Sequence, residues 1–170
     1  ELWPPSVKGG FENETQISDF DNLTKIGEGS FGVVFKALYK KTGAIYAIKA
    51  IDKKNKTNQE GRSYFKREIE IMYKVRHKNI VRLYTHFEDD HYCYFVMEYI
   101  SKGNLFDIVE KQRNKCLDKK TVAMYMRDLL SAVYYLHNMD PPIIHRDIKL
   151  ENVLLHEDGT IKLTDFGWSN

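Results

Sequence analysis

Asp147, Lys149 and Asn152, with Asp165 a short way on, put two carboxylates, an ammonium and an amide into one stretch without forming a charge run. They are interleaved with Ile148, Leu150, Val153, Leu154 and Leu155, so the polar groups are held against a core. The oxygens of Asn152 and Asp165 are hard ligands suited to Mg2+, an ion that keeps several waters and takes few protein donors. Upstream, Gly27-Glu28-Gly29-Ser30-Phe31-Gly32 is a glycine pattern whose missing side chains would let backbone amides approach phosphate oxygens.

These groups need elements to position them. Strand patterns run over Leu23–Ile26, Val33–Tyr39 and Ala44–Ile51, the last two joined by the turn Lys40-Lys41-Thr42-Gly43. A helix is expected from Ser63 to Arg76, with Phe65, Ile69 and Met72 at helical spacing. Two more strands, Val81–Phe87 and Tyr92–Tyr99, meet through Glu88-Asp89-Asp90, completing a small lobe of five strands and one helix. After the break Ser101-Lys102-Gly103-Asn104 helices follow. One is capped by Asp118 and runs to His137, with Val122, Met126, Leu129, Val133 and Leu136 on one face. Val153–Leu155 and Ile161–Leu163 read as a hairpin around Asp158-Gly159.

The expected class is therefore α+β and bilobal, with 1–18 a linker or disordered extension, 19–99 the small lobe, and 100–170 the start of a mainly helical large lobe. A ligand site is expected in the cleft between lobes.

The glycine pattern alone is weak. A dinucleotide-binding fold needs a helix after the loop and an acidic residue ~20 positions on. Asp52 has that distance, but Val33–Tyr39 is β-branched and aromatic, and Thr42-Gly43 then turns the chain. A P-loop fails because Val33-Val34 follows Gly32 where Lys-Ser/Thr is needed. A hairpin whose glycine tip lies over phosphates remains, with Phe31 placed to exclude water.

Lys49 ends the apolar run Ala47-Ile48. Glu68, three after Phe65 and four before Met72, falls on the inward face of its helix, where a carboxylate is costly unless paired. Glu70 can point to solvent, and Lys53, Lys54 and Lys56 read as solvated.

With 42% hydrophobic residues and a net charge of +2, the chain has material for a core and no charge that calls for nucleic acid or an anionic membrane as partner. Cys93 and Cys116 lack metal-ligand spacing and read as reduced intracellular thiols; His77, His86, His91, His137 and His156 form no ligand cluster. No apolar run approaches the ~20 residues that span a bilayer, and Glu1-Leu2-Trp3-Pro4-Pro5 is no secretory signal.

His145-Arg146-Asp147-Ile148-Lys149-Leu150-Glu151-Asn152, followed by Asp165-Phe166-Gly167 and preceded by the glycine pattern, resembles the motif set of protein kinases. The likeness covers about residues 20–170. It implies ATP and Mg2+ as cofactors and transfer of the γ-phosphate to protein hydroxyls. Asp147 would orient and accept from the attacking hydroxyl, Lys149 would stabilise the transferring phosphate, and Asn152 and Asp165 would hold Mg2+. Lys49 would contact the α- and β-phosphates and pair with Glu68. Val34, Ala47 and Leu154 correspond to the apolar sandwich around adenine, Met97 to the gatekeeper, and Glu98 to Ile100 to the hinge. His145 and Phe166 correspond to packing residues stacked with Met72 and Leu83. Arg146 would pair with an activation-loop phosphate.

Lys149, two residues after Asp147, is similar to the serine/threonine class, and Asp165-Phe166-Gly167-Trp168-Ser169 looks most like the Aurora group. Leu150 departs from the proline often found there. The Aurora likeness implies an activating peptide on the small lobe and an intracellular place of action at cytoplasm, nucleus, spindle or centrosome. The alternatives are a pseudokinase or nucleotide-binding regulatory fragment, and a non-catalytic interaction fragment. The chain lacks an initiator Met and stops soon after Asp165-Phe166-Gly167, so both ends read as cut. Such a partial catalytic domain is expected to be poorly stable and weakly active or inactive alone.

Overall fold

The computed structural model describes residue 11 and residues 15–29, 32–56 and 59–165, apart from the side chains of 55–65. Ser30, Phe31, Phe166, Gly167 and Trp168 lie outside the described residues. The chain forms two compact units, Glu1–Tyr73 with Arg82–Tyr99, and Lys74–Val81 with Ile100–Asn170.

The first unit is an antiparallel sheet of strands β1 (Phe20–Gly29), β2 (Gly32–Tyr39), β3 (Ile45–Asp52), β4 (Leu83–Glu88) and β5 (Tyr92–Glu98), in the order β1-β2-β3-β5-β4, with helix α1 (Gln59–Lys74) after β3. β1 extends beyond the four residues expected from sequence. It is an edge strand, exposed along most of its length, so Asp21, Asn22 and Lys25 break no core pattern.

Alternation gives the sheet two unlike faces. One carries a core of Phe20, Ala37, Tyr39, Ile48, Ala50, Tyr94 and Val96, with Tyr46, Tyr84 and Phe87 against it. Phe11 joins this core at 6% exposure, its ring 4.9 Å from that of Tyr39 and 5.2 Å from that of Tyr46. Thr15 is buried as well. Both lie in the stretch read from sequence as linker. A single aromatic among polar residues has no periodicity, so its burial follows from the ring socket it meets, not from any local pattern.

The opposite face is set by register. Val34 pairs with Lys49, Ala47 with Met97, and Lys49 with Phe95. Cross-strand partners share a face, so Val34, Ala47, Lys49, Phe95 and Met97 line this one. Glu68, Ile69, Met72 and Val75 are buried on one stripe running along α1 and just past its end, while Glu70 is exposed. β2 begins at Gly32 with φ of +144°, where an added Cβ would lie 2.2 Å from the carbonyl oxygen of Ala50. Glycine there is a requirement of the sheet itself.

The second unit holds α2 (Leu105–Glu110), α3 (Lys119–His137) and the antiparallel pair β6 (Val153–Leu155) and β7 (Ile161–Leu163). Asn104 caps α2 by accepting from the Asp107 N–H, and Asp118 caps α3 by accepting from the Thr121 N–H. The expected fourth strand starts later than Val81, because Ile80 and Val81 pair with Leu163 of β7 instead.

The apolar face expected on α3 divides. Ala132 and Leu136 are buried, but Val122 and Met126 are 42% and 45% exposed, beside Leu130 and Tyr134 at 60% and 72%. The inward stripe takes in Asp128, whose carboxylate accepts from the Ile161 N–H at 3.2 Å. A polar residue thus sits where periodicity would place an apolar one. Among the described residues no helix is long and apolar enough to cross a membrane.

Candidate active site

In the first unit, Lys49 and Glu68 meet although both are buried. Nζ lies 3.5 Å from Oε1, with side chains 10% and 4% exposed. The contact is an ion pair without hydrogen-bond geometry, which leaves Glu68 Oε1 a buried oxygen with no hydrogen bond. Burial of a carboxylate is tolerable here because the ammonium stands opposite. Val34 is half-buried, and Ala47 and Met97 are buried, all on the face of Lys49.

Gly27 and Gly29 lie in β1, with exposed Glu28 paired to Lys25 between them. Neither glycine is demanded by the fold. A Cβ at Gly27 would meet Val34 at an ordinary 3.9 Å, and one at Gly29 would meet nothing within 4 Å. Open space beside Gly29, against the steric demand at Gly32, leaves room for a ligand there. Ser30 and Phe31, also candidates for this turn, lie outside the described residues.

Met97 and Glu98 end β5. The Glu98 N–H donates to the Arg82 carbonyl at 2.9 Å, and its carboxylate accepts from the Arg82 N–H at 3.3 Å. The main-chain groups of Tyr99 and buried Ile100 have no hydrogen-bond partner among the described residues. Buried peptide groups are nearly always satisfied, so this is a segment suited to bonding a ligand.

In the second unit, Asp147, Lys149 and Asn152 form one cluster. Buried Asn152 donates through Nδ2 to the Asp147 carbonyl at 2.8 Å and to Asp147 Oδ2 at 2.9 Å. Both amide protons serve Asp147, which leaves Asn152 Oδ1 as an acceptor without a partner among the described residues. Lys149 Nζ lies 3.0 Å from Asp147 Oδ2. The hydrogen bond to Asp147 raises the Lys149 pKa above the ordinary lysine value, so this ammonium stays charged.

Asp165 lies two residues past the strand pair that Asn152 immediately precedes. Val153 pairs with Leu163, and the Thr164 N–H donates to the Asn152 carbonyl at 2.9 Å. Asn152 and Asp165 therefore flank one end of the β6–β7 hairpin. Leu154, half-buried, lies in β6. Arg146 and Asp165 hold positive φ, 65° and 67°, a conformation that costs most side chains energy and gathers at functional sites.

His145 ties this cluster together, a role that sequence reasoning missed when it assigned the residue to packing. It is 2% exposed. Nδ1 accepts from the Asp147 N–H at 3.3 Å, so the ring proton sits on Nε2, which donates to the Thr164 carbonyl at 3.0 Å. Burial holds its pKa below the ordinary histidine value, keeping the ring neutral as the first bond requires.

No group of three His, Cys, Asp or Glu among the described residues could hold a metal ion alone. One amide oxygen and one carboxylate suit instead an ion that draws most of its ligands from phosphate and water, as Mg2+ does.

A family model described as protein kinase domain matches residues 20–170. The chain belongs to the protein kinase domain family. This kinase domain is 41% identical over 165 residues to an Aurora kinase of Schizosaccharomyces pombe, covering 97% of the chain and 45% of that protein. It is 39% identical over 160 residues to an Aurora kinase of Yarrowia lipolytica, covering 94% and 42%. It is 40% identical over 154 residues to Aurora kinase C of Mus musculus, covering 90% and 54%. The kinase domain is thus Aurora-like in sequence and spans about half the length, or less, of these curated relatives.

Proposed function

We propose that the protein is an ATP-dependent serine/threonine protein kinase, moving the γ-phosphate of ATP to Ser or Thr hydroxyls of protein substrates. The observation that carries this reading is the fixation of Asp147 by both amide protons of Asn152, next to an ammonium, with Asn152 itself adjoining the hairpin end that presents Asp165. A carboxylate whose Oδ2 is held by Asn152 and Lys149, on a backbone that Asn152 also bonds, is a proton acceptor with a defined direction, which phosphoryl transfer to a hydroxyl needs.

Each unit has its share of the work. Lys49, kept in place by Glu68, holds the α- and β-phosphates, and the amides of the 27–32 turn cover them. Val34 and Ala47 of the first unit give the purine its apolar contacts, with Leu154 the apolar residue assigned to it in the second; Met97 limits the depth of its slot, and the peptide groups from Glu98 to Ile100 bond its edge. Asp147 orients the substrate hydroxyl and takes its proton. Lys149 neutralises charge on the transferring group. Asn152, through Oδ1, and Asp165 would hold Mg2+, which would supply charge neutralisation at the phosphate oxygens. Likeness to Aurora kinases supports an intracellular place of action; an activating peptide on the first unit is a further part of the proposal.

The test is transfer of labelled phosphate from ATP to a Ser/Thr protein substrate, with Asp147→Asn as control. Transfer that Asp147→Asn abolishes supports an enzyme. ATP binding without transfer would support the regulatory reading instead.

A further inference from the structure

We infer that Lys36 and Tyr99 form a clasp that positions the purine-binding peptide segment, making Lys36 a positioning residue for the nucleotide. The inference rests on the kinase reading above. Lys36 lies two residues after Val34 and pairs with Ala47, which in turn pairs with Met97. Alternation therefore puts Lys36 on the same sheet face as Val34, Ala47 and Lys49, where a lysine is not needed for packing. Its ammonium lies 5.2 Å from the centroid of the Tyr99 ring.

That contact crosses the sheet. Lys36 belongs to β2, and Tyr99 follows β5, with β3 between the two strands. Lys36 is half-buried, so its stem lies along the sheet while its charge meets the ring. Tyr99 needs such an anchor. It lies beyond the last ladder pair of β5, Tyr46 with Glu98, and its main-chain groups have no hydrogen-bond partner among the described residues. The ring contact holds in place a peptide segment whose own donors and acceptors remain open. Neither residue touches a phosphate in this scheme; both act on the purine end.

The experiment measures affinities of the protein for ATP and for adenosine in the wild type, Lys36→Met, Lys36→Arg, Tyr99→Leu and the Lys36→Met/Tyr99→Leu double variant. A cation–π contact at a partly exposed site corresponds to roughly a two- to fivefold change in affinity. Lys36→Met and Tyr99→Leu are each expected to weaken ATP and adenosine by that same factor. The double variant is expected to lose no more than either alone, and Lys36→Arg, which keeps a cation over the ring, to bind as the wild type does. Unchanged affinity in Lys36→Met overturns the clasp, as do additive losses in the double variant or failure of Lys36→Arg to rescue. A loss confined to ATP also overturns it, by showing that Lys36 meets phosphate directly. A wild type that binds no ATP sinks the kinase reading itself, whereas normal wild-type binding with an unaffected Lys36→Met sinks the clasp alone.

Discussion

His145 joins Asp147 to the strand end that presents Asp165, donating from Nε2 to the Thr164 carbonyl at 3.0 Å while accepting the Asp147 N–H at Nδ1. The bond accepted at Nδ1 needs a neutral ring. Burial lowers its folded-state pKa, and burial does the same to His77 and His86. A depressed folded pKa contributes stability that is fully present above the unfolded value, about 6.5, and lost as pH falls through the folded one. Thermal unfolding followed between about pH 7 and 5 should show a falling midpoint. His145→Phe should be less stable at neutral pH yet fall less steeply. Parallel slopes for the two proteins would remove His145 from the titrating set.

Lys49→Met leaves Glu68 buried and unpaired, a defect of about 3–5 kcal/mol. Denaturant unfolding should register that loss, and phosphotransfer should drop by about two to three orders of magnitude. Adding Glu68→Leu should restore stability and leave activity absent. Recovery of activity in the double variant would show that the pair serves structure only.

The glycines of the 27–32 turn should separate by substitution. Gly32→Ala forces a Cβ against the Ala50 carbonyl at a positive φ and should cost about 2–5 kcal/mol of stability. Gly29→Ala meets open space and should unfold within about 1 kcal/mol of the wild type. Its ATP affinity should nonetheless fall about tenfold, the equivalent of one backbone hydrogen bond. Undiminished ATP binding by Gly29→Ala would count against phosphates lying under this turn.

The thiols give a probe of the native state. Cys116 is exposed, whereas burial pushes the Cys93 thiol up to about 12. Alkylation read by mass spectrometry should modify Cys116 quickly and Cys93 only on unfolding. Equal rates at both would contradict the packing of β5.

The features legible in the sequence follow from local periodicity and capping chemistry. The burial of Glu68 came from helical spacing, the start of α3 from Asp118, and the β6–β7 hairpin from Asp158-Gly159. What escaped depended on partners distant in sequence. Phe11 is buried because Tyr39 and Tyr46 offer it rings. Asp128 faces inward because the Ile161 N–H awaits it. The demand for glycine at 32 is made by the carbonyl of Ala50 on the neighbouring strand. In the site, residue types suggested the chemistry, but the doubled bond from Asn152 to Asp147 and the tautomer of His145 are properties of three-dimensional placement.

The central claim, that Lys49 with Glu68 and Asn152 with Asp165 serve one magnesium-bound nucleotide, is tested most directly by calorimetric titration of ATP with and without Mg2+. The wild type should bind ATP more tightly with Mg2+. Lys49→Met/Glu68→Leu should weaken binding in both conditions, and Asp165→Ala should erase the magnesium-dependent part alone. ATP affinity indifferent to Mg2+, and unchanged by Asp165→Ala, would contradict the account.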